Sequence, residues 1–185
     1  ASDMTADAGM HVTPTTASQS TGSSLRRIAF AGDSLTDGAA WPDWVFETLR
    51  ADGCDGLHLH NAGVAGDDCP KLRKRFANDV LLLDPELVVV NIGTNDRGAL
   101  ADYRRDLEWM ADATHGRGAG VVLMVPPGAR DPERNARMLP YQETVREVSQ
   151  THACLLVDLP PLFQQGEREG RAMWGPDGLH HGIDG

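Results

Sequence analysis

Ser34, Asp177 and His180 carry the side chains needed to attack a carbonyl carbon. A serine hydroxyl is a weak nucleophile until a base takes its proton, and an imidazole does this best when a carboxylate orients it. Ser34 sits in FAGDSLTDG, whereas Asp177 and His180 share the late segment DGLH. A spacing of three puts both of the latter on one side of a helical turn. Asp177 can then hold one ring nitrogen of His180 while the other faces Ser34. The oxyanion formed by such an attack needs fixed donors. The backbone N–H groups of Ser34 and Gly66 and the side-chain amide of Asn95 fit that need.

Each of these residues also has a structural reading. Ser34 is a favoured helix cap, Gly66 suits a loop position with positive φ, and Asn95 suits a turn. Asp33 and Asp37 read as braces of the nucleophile loop, and Asp96 as a tie between loops. His181 competes with His180, but its spacing from Asp177 suits the role less well. His58 and His60 in HLH lie on one strand face, with no third metal ligand close in sequence. His11, His115 and His152 read as tail or surface residues. Trp41, Trp44, Trp109 and Trp174 read as packing residues, with Trp174 near enough to Asp177 to line a pocket.

The elements that must position these residues follow from apolar patterning. RIAFA, LHLHNAG, ELVVVNIG, GVVLMVPP and CLLVDL read as five strands. Between them PDWVFETLRA, CPKLRKRFANDVLLL, LADYRRDLEWMADA and YQETVREVSQTH read as helices. Pro42 opens the first and Gly53 follows it, and Leu72, Phe76 and Val80 form the apolar stripe of the second. Tyr141, Val145 and Val148 should point inward from the last. Such alternation predicts an α/β protein with three α/β/α layers around a five-stranded parallel sheet. These sheets place their active crevice at the carboxyl ends of the strands. GDSL, NAGVAGDD and GTND each follow a strand directly, and DGLH follows the fifth at a distance.

Four such segments in this order resemble the SGNH (GDSL-type) hydrolase family, over about Ile28 to the chain end. GDSL matches its first block, Gly66 of NAGVAGD its second, GTND its third and DGLH its fifth. The resemblance implies the flavodoxin-like SGNH hydrolase fold. It also implies Ser34 as nucleophile, Gly66 and Asn95 as oxyanion donors, His180 as base and Asp177 as its partner, with no metal and no organic cofactor. The sequence departs from the family at two points. His181 stands where the family has a proline, and the family's C-terminal helix beside strand one finds no counterpart before Gly185. Either that helix is absent from this chain or another segment covers the face.

The expected activity is hydrolysis of short-chain carboxylic esters, acetylated carbohydrate among them. The segment PPGARDPERNARML reads as a charged loop, and Asp67, Asp68 and Arg97 add polarity near the nucleophile. A polar mouth suits a short acyl group on a hydroxylated carrier. Some stretches are similar to the family branch with sugar deacetylases and lysophospholipase-like proteins. The alternatives are a lysophospholipase or thioesterase acting on longer chains, or a ligand-binding relative without activity. Neither a G-x-G-x-x-G pattern nor a phosphate-loop lysine follows strand one, which speaks against nucleotide binding.

Bulk properties bound the rest. The chain has 185 residues, 41% hydrophobic and 24% charged, and a net charge of −10. That charge disfavours nucleic acid, and no apolar run is long enough to span a membrane. Residues 1–24 read as a disordered tail or linker, and 25–185 as one hydrolase domain. The three cysteines do not form a disulfide framework. The lack of a disulfide framework favours a reducing compartment, so the cytoplasm is expected over the exterior.

Overall fold

The computed structural model describes residues 25–185, so the proposed tail of residues 1–24 lies outside the described residues. Five strands, β1 (Arg27–Gly32), β2 (His58–Gly63), β3 (Leu87–Asn91), β4 (Gly120–Val125) and β5 (Leu155–Asp158), form one sheet. Their order is β2-β1-β3-β4-β5 and every pairing is parallel. The helices are α1 (Ser34–Asp37), α2 (Trp41–Ala51), α3 (Cys69–Asp79), α4 (Leu100–His115), α5 (Pro132–Thr151) and α6 (Leu159–Arg168).

Alternation along the strands divides the core in two. Ala29 and Ala31 of β1, Val88 and Val90 of β3, and Val121 and Leu123 of β4 face α3, α4 and α5. There they meet Leu72, Phe76, Leu107 and Val148, all essentially solvent-free. Burying one such side chain contributes about 1.5–3 kcal/mol. Ile28, Phe30, Val89 and Met124 point to the other face, where Val45, Phe46 and Leu49 of α2 and Leu159 of α6 cover them. Leu155, on the edge strand β5, stays 69% exposed.

Three boundaries differ from the sequence reading. α5 begins at Pro132, so most of the expected charged loop is helix. Asp131 caps it by accepting from Arg134 N at 2.7 Å. Pro140 removes one backbone hydrogen bond, normally a reason to end a helix. Here Met138, Tyr141, Val145 and Val148 are buried and hold the helix through it. α6, with the sequence LPPLFQQGER, was not expected. Prolines in a first turn lose no helical bond. The α3 stripe stops at Asp79, and Leu81–Leu83 form a separate 3-10 turn. No helix among the described residues is long and apolar enough to cross a membrane. Cys54, Cys69 and Cys154 are all free thiols.

Candidate active site

β1 ends at Gly32, and Asp33 then caps α1 by accepting from Leu35 N at 2.9 Å. The cap is thus Asp33, and Ser34 is the first helical residue. Asp33 is fully buried, and burial pushes its carboxyl up to about 6 against the opposing pull of the Leu35 N–H. Asp37 Oδ2 accepts from Ala65 N at 3.1 Å, and Asn61 Nδ2 donates to Thr36 O at 2.9 Å. These bonds fasten the nucleophile turn to the loop after β2. Gly63 lies so close that a Cβ there would stand 2.4 Å from Asp37 N.

Gly66 follows on that loop at φ +80°, a conformation costly for any residue with a Cβ. Its neighbour Asp67 is nearly buried and receives Arg75 Nε from α3 at 2.8 Å. Arg75 Nη2 also donates to Gly32 O at 3.3 Å. Asn95, past the end of β3, gives one amide hydrogen to Asp67 O at 3.0 Å, which leaves the other for a further acceptor. Asp96 accepts from Cys69 N at 3.0 Å and so ties this loop to the start of α3. Burial raises its carboxyl to about 6 as well.

The late loop supplies the base. Asp177 Oδ1 accepts from Leu179 N and His180 N, each at 3.1 Å. Its Oδ2 accepts from His180 Nδ1 at 2.5 Å, and that bond leads the interactions lowering the Asp177 carboxyl to about 2. With Nδ1 carrying the proton, Nε2 is the free acceptor. Ser34 Oγ lies 2.9 Å from it. The loop is held by Arg130 N on Gly178 O at 2.7 Å, Gly175 N on His180 O at 2.8 Å and Gly182 N on Met173 O at 2.9 Å. A β-bridge between Trp174 and His181 completes it. The His181 ring turns away and packs 5.5 Å from the Phe163 ring, where burial lowers its pKa.

The structure therefore brings Ser34, His180 and Asp177 into one hydrogen-bonded line, with the Gly66 and Asn95 loops tied to the same framework. A cavity of about 580 Å³ opens beside the pair, lined by Ser34, Ala65, His180, Trp41, Trp44 and Ile183 among others. Trp174 does not line it; it is buried against Phe163 with ring centroids 4.8 Å apart. The expected polar mouth is corrected too. Asp67 faces Arg75, Asp68 caps α3, and Arg97 folds onto the Thr94 and Asp96 carbonyls. Sequence reasoning missed Trp41, Trp44 and Arg75, whose positions become meaningful only once distant segments meet. Among the described residues no three His, Cys, Asp or Glu side chains gather as metal ligands.

Comparison with known proteins agrees with this architecture. Residues 30–185 match the sequence model of the GDSL-like lipase/acylhydrolase family. The chain is similar to an acetylxylan esterase of Geobacillus stearothermophilus, 26% identical over 172 residues, spanning 75% of this chain and 78% of that protein. A lipase/acylhydrolase from Enterococcus faecalis superposes with a TM-score of 0.76 at 28% identity, covering 86% of this chain and 89% of that one. A variant of an acetyl xylan esterase from Geobacillus stearothermophilus shares the fold, with a TM-score of 0.77 at 23% identity, covering 88% and 89% of the two chains.

Proposed function

Because the chain belongs to the GDSL-like lipase/acylhydrolase family, we propose that it is a serine esterase that hydrolyses short-chain carboxylic esters, acetylated carbohydrate among them. The observation that carries this reading is the line from Ser34 Oγ to His180 Nε2 at 2.9 Å and on from Nδ1 to Asp177 at 2.5 Å.

Ser34 Oγ bonds to the ester carbonyl carbon as its proton passes to His180 Nε2. The carbonyl electrons move onto oxygen, where the N–H groups of Ser34 and Gly66 and the free Asn95 amide hydrogen receive the charge. Collapse breaks the bond to the alcohol oxygen, which leaves with the proton from Nε2. Water then gives a proton to Nε2 and attacks the acyl carbon. The second collapse expels Ser34 Oγ, which is reprotonated by the imidazole. Asp177 holds the productive tautomer throughout and offsets the charge on the ring. No step needs a metal or an organic cofactor.

Two observations support a small acyl group. The loop after β4 is drawn against the His180 loop by the Arg130–Gly178 bond and by packing among Ala129, Met138 and Leu179. The large cavity reaches Ala65, but its walls include neither Gly66 nor Asn95. Similarity to an acetylxylan esterase points the same way. A second reading, hydrolysis of long acyl chains, draws on the apolar walls of that cavity. Nitrophenyl acetate, butyrate and octanoate separate the two. Acetate or butyrate should give the highest kcat/KM, and a maximum at octanoate would reject the short-chain reading. Ser34→Ala should lower kcat about 10⁶-fold, and undiminished hydrolysis would remove Ser34 as the nucleophile.

A further inference from the structure

We propose that the cavity beside His180 is the subsite for the alcohol half of the ester, and that Trp44 is its platform for a hydroxylated ring such as a sugar. This rests on the hydrolytic reading above. The tetrahedral carbon carries four groups whose directions are not interchangeable. One is Ser34 Oγ, one is the oxyanion turned to its donors, and one is the leaving oxygen, which must meet the proton on His180 Nε2. The acyl substituent takes the remaining direction. The cavity lining includes Ser34, His180, His181, Ile183, Trp41 and Trp44 and reaches Ala65, but neither Gly66 nor Asn95 belongs to it. It therefore borders the imidazole that must hand its proton to the leaving oxygen.

The two tryptophans differ in what holds them. Trp41 is fixed, since its Nε1 donates to Leu35 O at 2.7 Å and its ring meets Phe30 edge-on with centroids 4.9 Å apart. Trp44 lies one helical turn further along α2 and is 54% exposed. No ring contact or hydrogen bond engages its indole among the described residues, so the fold itself makes little use of it. An indole face at the rim of a cavity offers a flat apolar surface. Asp37 lies in the same lining, with Oδ2 engaged by Ala65 N and Oδ1 available to a hydroxyl. A sugar ring presents this same pairing, with C–H groups on its face and hydroxyls at its edge. A fatty chain has only the first and would leave the carboxylate facing hydrocarbon. The volume of about 580 Å³ is that of a small-molecule pocket.

The test compares two acetates that differ only in the alcohol: an acetylated xylo-oligosaccharide and ethyl acetate. The readout is the ratio of their kcat/KM values in the full chain. Trp44→Ala should lower the sugar-to-ethyl ratio about tenfold through KM, and Trp44→Phe, which keeps a flat ring, should retain most of it. Equal losses on both acetates, or an unchanged ratio, would overturn the proposal. So would a Trp44→Ala loss specific to ethyl octanoate, which would assign the cavity to the acyl chain. Wild-type hydrolysis of ethyl acetate but not of the sugar ester would overturn this inference alone. Hydrolysis of neither acetate would overturn the hydrolytic reading as well.

Discussion

Arg75 Nε stands 2.8 Å from Asp67 Oδ2, and the same guanidinium reaches Gly32 O at 3.3 Å. One cation thus couples the strand end before Ser34 to the loop that carries Gly66. Through Asp67 O it also reaches the Asn95 amide. All three proposed oxyanion donors lie on segments that this ion pair holds in register. The Asp67 side chain is only 9% exposed, so Arg75→Met leaves its carboxylate nearly buried without its partner. We expect a loss of about 3 kcal/mol in urea denaturation. The kcat should fall at least tenfold while KM changes little, because misplaced donors weaken transition-state binding. Arg75→Lys keeps the charge but not the fork and should fall between. An unaltered kcat in Arg75→Met would remove the arginine from the positioning of these loops.

Asp177→Asn tests the orienting bond. The asparagine can still accept from Leu179 N and His180 N, so the loop keeps its turn, but it no longer holds the imidazole as a carboxylate does. The kcat should drop about 10⁴-fold with little change in thermal midpoint. The pH dependence has a definite sign. The folded carboxyl is lowered from 3.8 to about 2, so its stabilising effect is present above pH 4 and fades as pH falls towards 2. The side chain is half exposed, which keeps that effect small. Unfolding curves of the two proteins should therefore converge near pH 2.

Asp33 behaves in the opposite sense. Its folded carboxyl is raised from 3.8 to about 6, so stability is fullest below pH 4 and is lost as pH rises through 6. Asp33→Asn keeps the acceptor for Leu35 N and removes the buried charge. The variant should match wild type at pH 4 and exceed it at pH 8 by up to ~3 kcal/mol in urea midpoints converted to free energy. It should also turn over more slowly. The ionised carboxylate interacts with His180, and its charge favours the imidazolium formed as Ser34 loses its proton. A variant no more stable than wild type at pH 8 would contradict this account.

Gly66→Ala separates backbone strain from crowding. A Cβ at this position meets nothing within 4 Å, so the penalty comes from φ +80° alone. That costs about 1–2 kcal/mol, or a local shift that relieves it. A shift moves the Gly66 N–H, and kcat should fall about 10²-fold. Full activity at reduced stability would mean that this N–H does not serve as a donor.

Much of this was legible in the sequence for a physical reason. The five strands and the helices between them carry periodic apolar residues, and a period is a local property. GDSL, NAGVAGD and GTND were local too, because each follows a recognisable strand, whereas DGLH stands beyond the unexpected α6. What escaped was relational. Asp67, Asp68 and Arg97 look like a polar rim as letters, yet they are engaged by a cation, a helix start and backbone carbonyls in turn. α5 was shortened in the reading because PPGARDPERNARML reads as a charged loop until the burial of Met138 and Tyr141 is known. Trp44 carries no sign that it shares a cavity with Ser34, since that neighbourhood exists only once α2 has docked on the sheet.

The proposed base and its orienting carboxylate stand three residues apart on one loop, which is fastened by a handful of backbone bonds and the Trp174–His181 bridge. They travel together, so nothing internal to that dyad needs realignment if the loop swings away. Fraying of this short stretch would silence turnover while the sheet stayed intact. On gentle heating, enzymatic output should fade at a lower temperature than the circular dichroism of the helices, and it should return on cooling.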